Sequence, residues 1–312
     1  MARFTSTYLG LDAPHRWLRG NHHGHSTVSD GELDPQDIVR HYEAAGHDYL
    51  ALSEHDSLLK ADALRAHTSM CIIQAVEVTS RFGQTLMHLG ADRTLPPHEL
   101  TPREIMEQAH AAGGLFIFDH PNWRPWADYA TDELLDTMEG MRGMEIYTGV
   151  VERLSGEAKA TDRWDRLLGK GWRVFGHATD DQHRADDCFV AWNCVQWPGD
   201  QPVTPEGIVD ALAAGRFYAS NGVTISRTGA SDDGQAVMVE SDADEVRWIV
   251  RAGAIVKKVG AGSSTLMMDE FAALPDVPRT ESGCPSEAIY ARAECLGRGA
   301  TTAWTQPFWI TT

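Results

Sequence analysis

Residues Arg19 to Gly31 read RGNHHGHSTVSDG, three histidines and an aspartate in little more than ten positions. His23 and His25 are separated by one residue. In an extended strand, residues two apart project to the same face, so both imidazoles would aim at one point, as in a metal grip. Similar side chains recur downstream: His55 in Ser53-Glu54-His55-Asp56, Glu77, His88, His120 in Asp119-His120-Pro121, and Asp181 with His183. With Asp30 these make nine candidate ligands, all imidazole or carboxylate and none a thiolate. That mixture suits Zn²⁺, Mn²⁺ or Fe²⁺ in an open catalytic site better than a closed zinc site built on cysteine. Nine donors exceed what one tetrahedral ion needs, so two or three divalent ions sharing bridging groups are expected. Such a cluster generates hydroxide at neutral pH and clamps a phosphoryl or acyl group during transfer.

The elements that must position these residues are legible in turn. Trp17 to Gly24 reads as a strand ending in the histidines. Asp34-Pro35-Gln36-Asp37 is a helix start, with a capping carboxylate and proline in the first turn. Strands are expected at 47–52, 71–78, 115–118, 143–147 and 173–176, with a hairpin return over 82–89. Helices are expected at 61–67, from the Thr101-Glu104 capping box to Gly113, at 132–138, over a long polar stretch 151–168, and at 204–215. Strand, loop and helix thus repeat six or seven times, which argues for a parallel β/α barrel. His23, His55, Glu77, His120 and Asp181 all fall just past strand C-termini, where a barrel of this kind builds its active site. Beyond Phe217 to Gly222 the texture changes. Short alternating segments at 236–240, 245–250, 254–259, 288–294 and 300–305 predict a small antiparallel β-sandwich. The boundary is placed near 221, giving a hydrolase unit over 1–221 and a β-domain over 222–312.

The chain has 312 residues and a net charge of −18, and no basic stripe interrupts that acidity. A small-molecule substrate is therefore expected rather than a nucleic acid. No apolar run reaches membrane-spanning length and the N-terminus lacks a signal-like apolar core, so no membrane association is expected. The five cysteines are odd in number and lack CxxC spacing, which predicts reduced, mostly buried thiols and a cytoplasmic location. Cys284 and Cys295 could pair, though nothing in the sequence argues for it.

Taken together, His23-x-His25 with Asp30-Gly31, Glu54-His55-Asp56, Glu77 with His88, His120-Pro121 and Asp181-x-His183 resemble, in order, the signatures of the PHP (polymerase and histidinol phosphatase) domain family. The resemblance implies a distorted seven-stranded β/α barrel and a two- or three-metal site. It implies that His23, His25, Glu77 and Asp181 hold one ion, and that Glu77, as a bridge, with His88 and His120 holds a second. Asp30, His55 and His183 would hold a third. A metal-bridging hydroxide, held by Glu77 and Asp181, is the implied nucleophile. Phe217-Tyr218-Ala219-Ser220 and Ala303-Trp304-Thr305-Gln306-Pro307 resemble, more loosely, the tail of relatives with a C-terminal β-domain.

Around this set, His22 points away from His23 on a strand and is expected to pack. His177, at a strand end, is a candidate for a supporting or substrate-contacting role. Asp56 is expected to orient the His55 loop, and Asp180 to turn outward beside Asp181. His15, His41, His47, His67, His98 and His110 are expected to be solvated. Phosphate binding calls for cations. Arg184 and Arg124 rank first, then Arg81 and Lys60, with Tyr147 as a pocket wall. The function expected is a metal-dependent phosphoesterase. Its rivals are hydrolysis of a carbamate, ester or amide by the same cluster, and a non-catalytic metal-bound scaffold.

Overall fold

The computed structural model describes residues 2–125, 128–274, 277 and 290–311. In chain order the first part comprises β1 (Arg3–Thr5), β2 (His15–Asn21), α1 (Pro35–Ala44), β3 (Tyr49–Leu52), α2 (Asp62–Arg65), β4 (Cys71–Thr79), β5 (Thr85–Leu89), α3 (Pro102–Ala111), β6 (Leu115–Phe118), α4 (Asp132–Asp136), β7 (Gly143–Thr148), α5 (Thr161–Gly169), β8 (Phe175–Thr179), β9 (Trp192–Pro198), α6 (Pro205–Ala213) and β10 (Phe217–Ser220). It continues with β11 (Ile225–Ala230), β12 (Ala236–Ser241), β13 (Glu245–Val250), β14 (Ala254–Val259), β15 (Ser263–Met267), α7 (Met268–Ala273), β16 (Tyr290–Leu296), β17 (Thr302–Thr305) and β18 (Phe308–Thr311).

The fold is mixed α/β. One large sheet runs β1-β18-β16-β17-β10-β9-β2-β3-β4-β5-β6-β7-β8, and a second, antiparallel sheet holds β11-β12-β15. Within the large sheet, β2-β3-β4 and β6-β7-β8 are parallel runs, joined through the antiparallel β5. The short parallel strands β3 (YLAL) and β6 (LFIF) are apolar along their whole length, and every residue of each is buried. Helices start where the sequence places caps. The Asp34 side chain accepts from the Gln36 N–H at α1, and Thr101 and Glu104 form a reciprocal capping box at α3.

The strand β8 would be an open edge, since no backbone ladder joins it to β9. Two amide side chains take the place of that ladder. Asn193, on β9, accepts from the Ala178 N–H at 3.1 Å and donates to the Ala178 carbonyl at 2.7 Å. Gln306, between β17 and β18, does the same for Gly176 at 2.9 and 2.8 Å. The row of strands from β9 round to β8 therefore ends beside its own start. Gln306 is fully buried, so a Gln306→Ala change strands the N–H and C=O of Gly176. We expect a loss of about 2–6 kcal/mol, from two unmet buried groups at about 1–3 kcal/mol each. Urea denaturation should show a lower midpoint with an unchanged slope, and an unchanged midpoint would refute the role of this amide.

Several elements differ from the sequence expectation, and the strands beyond 221 divide between two sheets, with β13, β14, β16, β17 and β18 in the large one and β11, β12 and β15 in the small one. The helix expected over 151–168 is a 3-10 turn at Gly149–Arg153, an irregular stretch, and then α5. Gly156 explains the break. Its φ is +125°, it bridges Trp123, and a Cβ there would stand 2.3 Å from the Asn122 carbonyl oxygen. The strands β9, β10, β11, β15 and β18 and the helix α7 lie outside the expected elements. The first strand, β1, pairs with the last, β18, and β10 joins the 1–221 segment to β17 by an antiparallel ladder. The expected strand at 288–294 lies partly outside the described residues, as does Cys284. Cys188, Cys194 and Cys295 are buried free thiols, and Cys71 is a half-buried one. His47, expected in solvent, is buried. Its ring lies edge-on to Tyr42.

Candidate metal centre

The C-terminal ends of β2, β3, β4, β6 and β8 bring eight of the nine expected ligands together. Around one point, His23 Nε2 lies 3.4 Å from Glu77 Oε2 and 3.2 Å from Asp181 Oδ1. His25 Nε2 is 3.1 Å from each of the same two oxygens. Four donors about 2.0–2.1 Å from a common ion stand about 3.3–3.4 Å apart at the corners of a tetrahedron; these four spacings lie near that range, and His23, His25 and Asp181 form a group within reach of one ion. The atoms are buried, and His23 Nε2, His25 Nε2, Glu77 Oε2 and Asp181 Oδ1 have no hydrogen-bond partner. Unmet buried polar atoms are costly unless something pairs with them. A cation is the partner that satisfies all four.

Beside it, Asp30 Oδ2 is 3.4 Å from His55 Nε2 and 3.3 Å from His183 Nε2. The other nitrogen of His55, Nδ1, is 3.1 Å from Glu77 Oε2. His25, Asp30, His55 and His183 form a second group within reach of one ion. His23, Glu77 and His120 form a third, with His120 Nε2 3.3 Å from Glu77 Oε1.

The electrostatics favour positive charge here. Burial alone would push protons off His23, but Asp181, Glu145 and Glu77 together hold it well above its ordinary range. Burial likewise opposes the charge on His55, and Glu77 and Asp30 still raise it to about 9. Asp30 is half-exposed, and partial desolvation raises its pKa, but hydrogen bonds with His183 and His55 hold it far below the usual carboxylate range. A divalent ion binding at these groups displaces the protons.

Local structure explains how each ligand is aimed. Glu54 is buried and braces the loop that carries Asp30, accepting from Ser26 Oγ and the Ser26 N–H and, at 2.5 Å, from Ser29 Oγ. Asp56, at φ +52°, accepts from the Thr79 N–H and hydroxyl, both at 2.7 Å, and so fixes the turn after His55. His120 and Asp181 also hold positive φ, +27° and +50°. Such strain in non-glycine residues persists where the surroundings over-determine it. Asp180 faces away from the centre as expected. Its carboxylate accepts from Tyr42 Oη and from the N–H groups of Phe189, Val190 and Ala191.

His88 is the expected ligand that the fold does not bring in. It sits on β5 opposite Val76, whereas Glu77 is opposite Met87. Side chains alternate along a strand, so His88 points to the other face. There a Cβ on Gly114 would stand 2.5 Å from its Nε2. Burial lowers its pKa to about 4, so it is a neutral packed ring. The neighbour on the ligand side is Thr85, whose Oγ1 is 3.4 Å from His120 Nε2 and 2.8 Å from Tyr129 Oη.

Two buried acids escaped the sequence reading. Glu145, on β7, lies 2.7 Å from His23 Nδ1 and accepts from the His120 N–H and Thr148 Oγ1, each also at 2.7 Å. A carboxylate behind a ligand imidazole fixes its tautomer and its aim. The signal was present: Glu145 is the lone charge in the buried run GMEIYT. We expect Glu145→Gln to weaken metal binding by about 10–100-fold, read by competition with a chelator; unchanged affinity would remove this role. Asp119 is also buried near His23 and Glu145, with neither carboxylate oxygen hydrogen-bonded. Burial, then the surrounding carboxylates, push its pKa well up. His177 makes no hydrogen bond with the group. It stacks on Phe217 at 4.6 Å and meets His22 edge-on at 5.1 Å. His22 is fully buried and packs as expected.

A cavity of about 440 Å³ opens over the ligands. Of the expected substrate contacts, Arg184 lines it, with its Nε 3.1 Å from Glu32. Arg124, Arg81, Lys60 and Tyr147 do not. Arg124 pairs with Asp128, Arg81 lies over Phe82, and Tyr147 hydrogen-bonds Glu152. The cation that sequence reasoning missed is Arg153, hidden in what read as a long helix.

No family model and no curated protein matches the chain. Solved structures do. A two-domain protein of Bacteroides vulgatus, containing a predicted PHP-like metal-dependent phosphoesterase, aligns over 99% of this chain and 91% of its own at 17% identity, with a TM-score of 0.53. A protein of Bifidobacterium adolescentis named as a candidate metal-dependent phosphoesterase aligns over 62% of this chain and 96% of its own, at 13% identity and a TM-score of 0.45. An amidohydrolase of Chromobacterium violaceum with bound sulfate aligns over 54% and 89%, at 14% identity and 0.43. Of these three, the first matches in shape from end to end, and it carries the conclusion that the chain has the PHP-like two-domain fold.

Proposed function

We propose that the protein is a metal-dependent hydrolase of a small molecule and that the bond it cleaves is a phosphoric ester. The observation behind this reading is the convergence of unpartnered buried imidazole nitrogens and carboxylate oxygens beneath an open cavity. Divalent ions bound there would neutralise phosphoryl oxygens and lower the pKa of a bound water to about 7. The chain's own groups then have distinct tasks. His23, His25, Glu77 and Asp181 hold one ion. Asp30, His55 and His183 hold a second, beside His25. Glu145 holds His23 in place, and the seven strands β2 to β8, with β9 beside both ends, serve as the distorted seven-stranded barrel that presents them all. The division near residue 221 belongs to the same reading, because every one of these residues precedes it and the smaller sheet follows it.

The third position supplies two strong donors, Glu77 and His120, with the Thr85 hydroxyl beside them. We therefore read the centre as binding two ions tightly, with zinc, manganese and iron all compatible with its donors. Metal analysis after supplementation should find two equivalents, and His88→Leu should leave that number unchanged. A third tightly held equivalent that disappears in His88→Leu would overturn this count.

The reaction is tested by phosphate release from a panel of phosphomonoesters against turnover of carbamates, esters and amides. Release of phosphate supports the reading. Hydrolysis at carbon with no phosphate release from any ester would replace it with the carbon-centred alternative. Among the described residues, no helix is long and apolar enough to cross a membrane.

A further inference from the structure

The cavity over the ligands has a second half that the metal chemistry does not use. Part of it is apolar: Trp123, Val150 and Leu154. Trp123 is set edge-on against His120 at 5.1 Å and lies 5.4 Å from Tyr129. Leu154 is 40% exposed, a large aliphatic side chain left open beside a polar centre. Covering such surface is favourable.

The rest is cationic, and Arg153 is its built component. Asp187 grips it at two points, Oδ1 to Nε at 2.6 Å and Oδ2 to Nη2 at 2.8 Å. The same carboxylate accepts from the His183 and Arg184 N–H groups, both at 3.1 Å. The guanidinium is thus fixed to the loop that carries His183. Among the described residues, Nη1 makes no hydrogen bond, so its two donors remain uncommitted. Asp187 and Asp181 keep Arg153 firmly charged. A planar donor fork fixed in advance is suited to phosphoryl oxygens.

We propose that Arg153 binds the phosphoryl oxygens of the substrate, and that the alcohol half of the ester is a flat or bulky apolar group seated on Trp123 and Leu154. This rests on the phosphoesterase reading and narrows it to esters of apolar alcohols rather than of sugars or other polyols. Leu154 would otherwise lie bare against a hydroxyl-rich substrate.

Binding tests it apart from turnover. The probes are 2-phenylethylphosphonate and ethylphosphonate, which share a headgroup and have no hydrolysable ester, titrated calorimetrically into the metal-loaded protein. The phenyl compound should bind at least about tenfold tighter, consistent with burying part of an aromatic ring. Leu154→Ser should pull that ratio toward one. Arg153→Met should weaken both probes at least about tenfold with metal content retained, and Arg153→Lys should recover part of the loss. Equal affinity for the two probes overturns the apolar half. Affinities within twofold of the parent in Arg153→Met overturn the anion half, as does loss of bound metal in both Arg153 variants, which would make Arg153 a scaffold group. Selective phosphonate binding without phosphate release from any ester would instead count against the reaction and leave this pocket assignment intact.

Discussion

Glu77→Gln should reduce kcat/KM on the order of 10³-fold, about 4 kcal/mol of transition-state stabilisation, and lower bound metal by at least one equivalent. The side chain is at the crossing of the whole centre. Its Oε2 lies 3.4, 3.1 and 3.1 Å from nitrogens of His23, His25 and His55, and its Oε1 lies 3.3 Å from His120. Glutamine keeps the shape, removes the charge, and turns one acceptor into a donor aimed at metal-binding atoms. The ion at His23, His25 and Asp181 would lose a charged ligand, and the His55 ring that serves the neighbouring ion would lose the carboxylate against its Nδ1. The measurement is metal content beside steady-state hydrolysis, with the unfolding midpoint as a control for folding. Full metal occupancy with hydrolysis within tenfold of the parent would sink the assignment and revive a non-catalytic scaffold.

The second large effect lies far from the chemistry. Arg292, on β16, is almost fully buried. It reaches Asp165 of α5 at 2.8 and 2.6 Å and Glu294 at 2.8 Å. Tyr290 donates to the same Asp165 at 2.7 Å, and the guanidinium carbon lies 4.9 Å from the Trp164 ring. Replacing Asp165 by Ala leaves a buried cation with half its partners. Breaking a buried pair in this way costs about 3–5 kcal/mol. Urea denaturation of Asp165→Ala should show a loss of that size. The double variant Asp165→Ala with Arg292→Leu should recover part of it, because removing both charges is far cheaper than stranding one. A single variant that loses less than about 1 kcal/mol would show that the pair contributes little to holding α5 on the β16 face.

The ligands that the sequence revealed share a property. His23, His25, His55, Glu77, His120, Asp181 and His183 are strand-end residues whose types are rare in apolar surroundings, so their chemistry and their position could be read together. His88 has the right type and the wrong face. On LMHL a slip of one residue inverts every side chain, and only the register of β5 against β4 decides between His88 and Thr85. Glu145 and Asp119 sit within or directly after buried strands, where local spacing gives no sign of the imidazole that each acid lies beside. Arg153 was concealed by an expected helix that Gly156 interrupts. Arg124 was expected in the pocket, and its neighbour Trp123 lines it instead. The two amides that finish β8 were beyond reach of local reasoning, since a glutamine at 306 gives no sign of the glycine 130 positions earlier that it serves.

That glutamine has a consequence for how the chain is made. Synthesis runs from the N-terminus at about 5–20 residues per second, so Gly176 leaves the ribosome about 6–26 s before Gln306 exists. The strand at residues 3–5 waits longer still, since its partner is residues 308–311. The metal-ligand half of the molecule is translated first and completed last. Its nascent form carries an unfinished strand edge, the kind of surface that invites pairing with another chain. The order of translation thus makes residues 302–311 the step that closes the metal-ligand half.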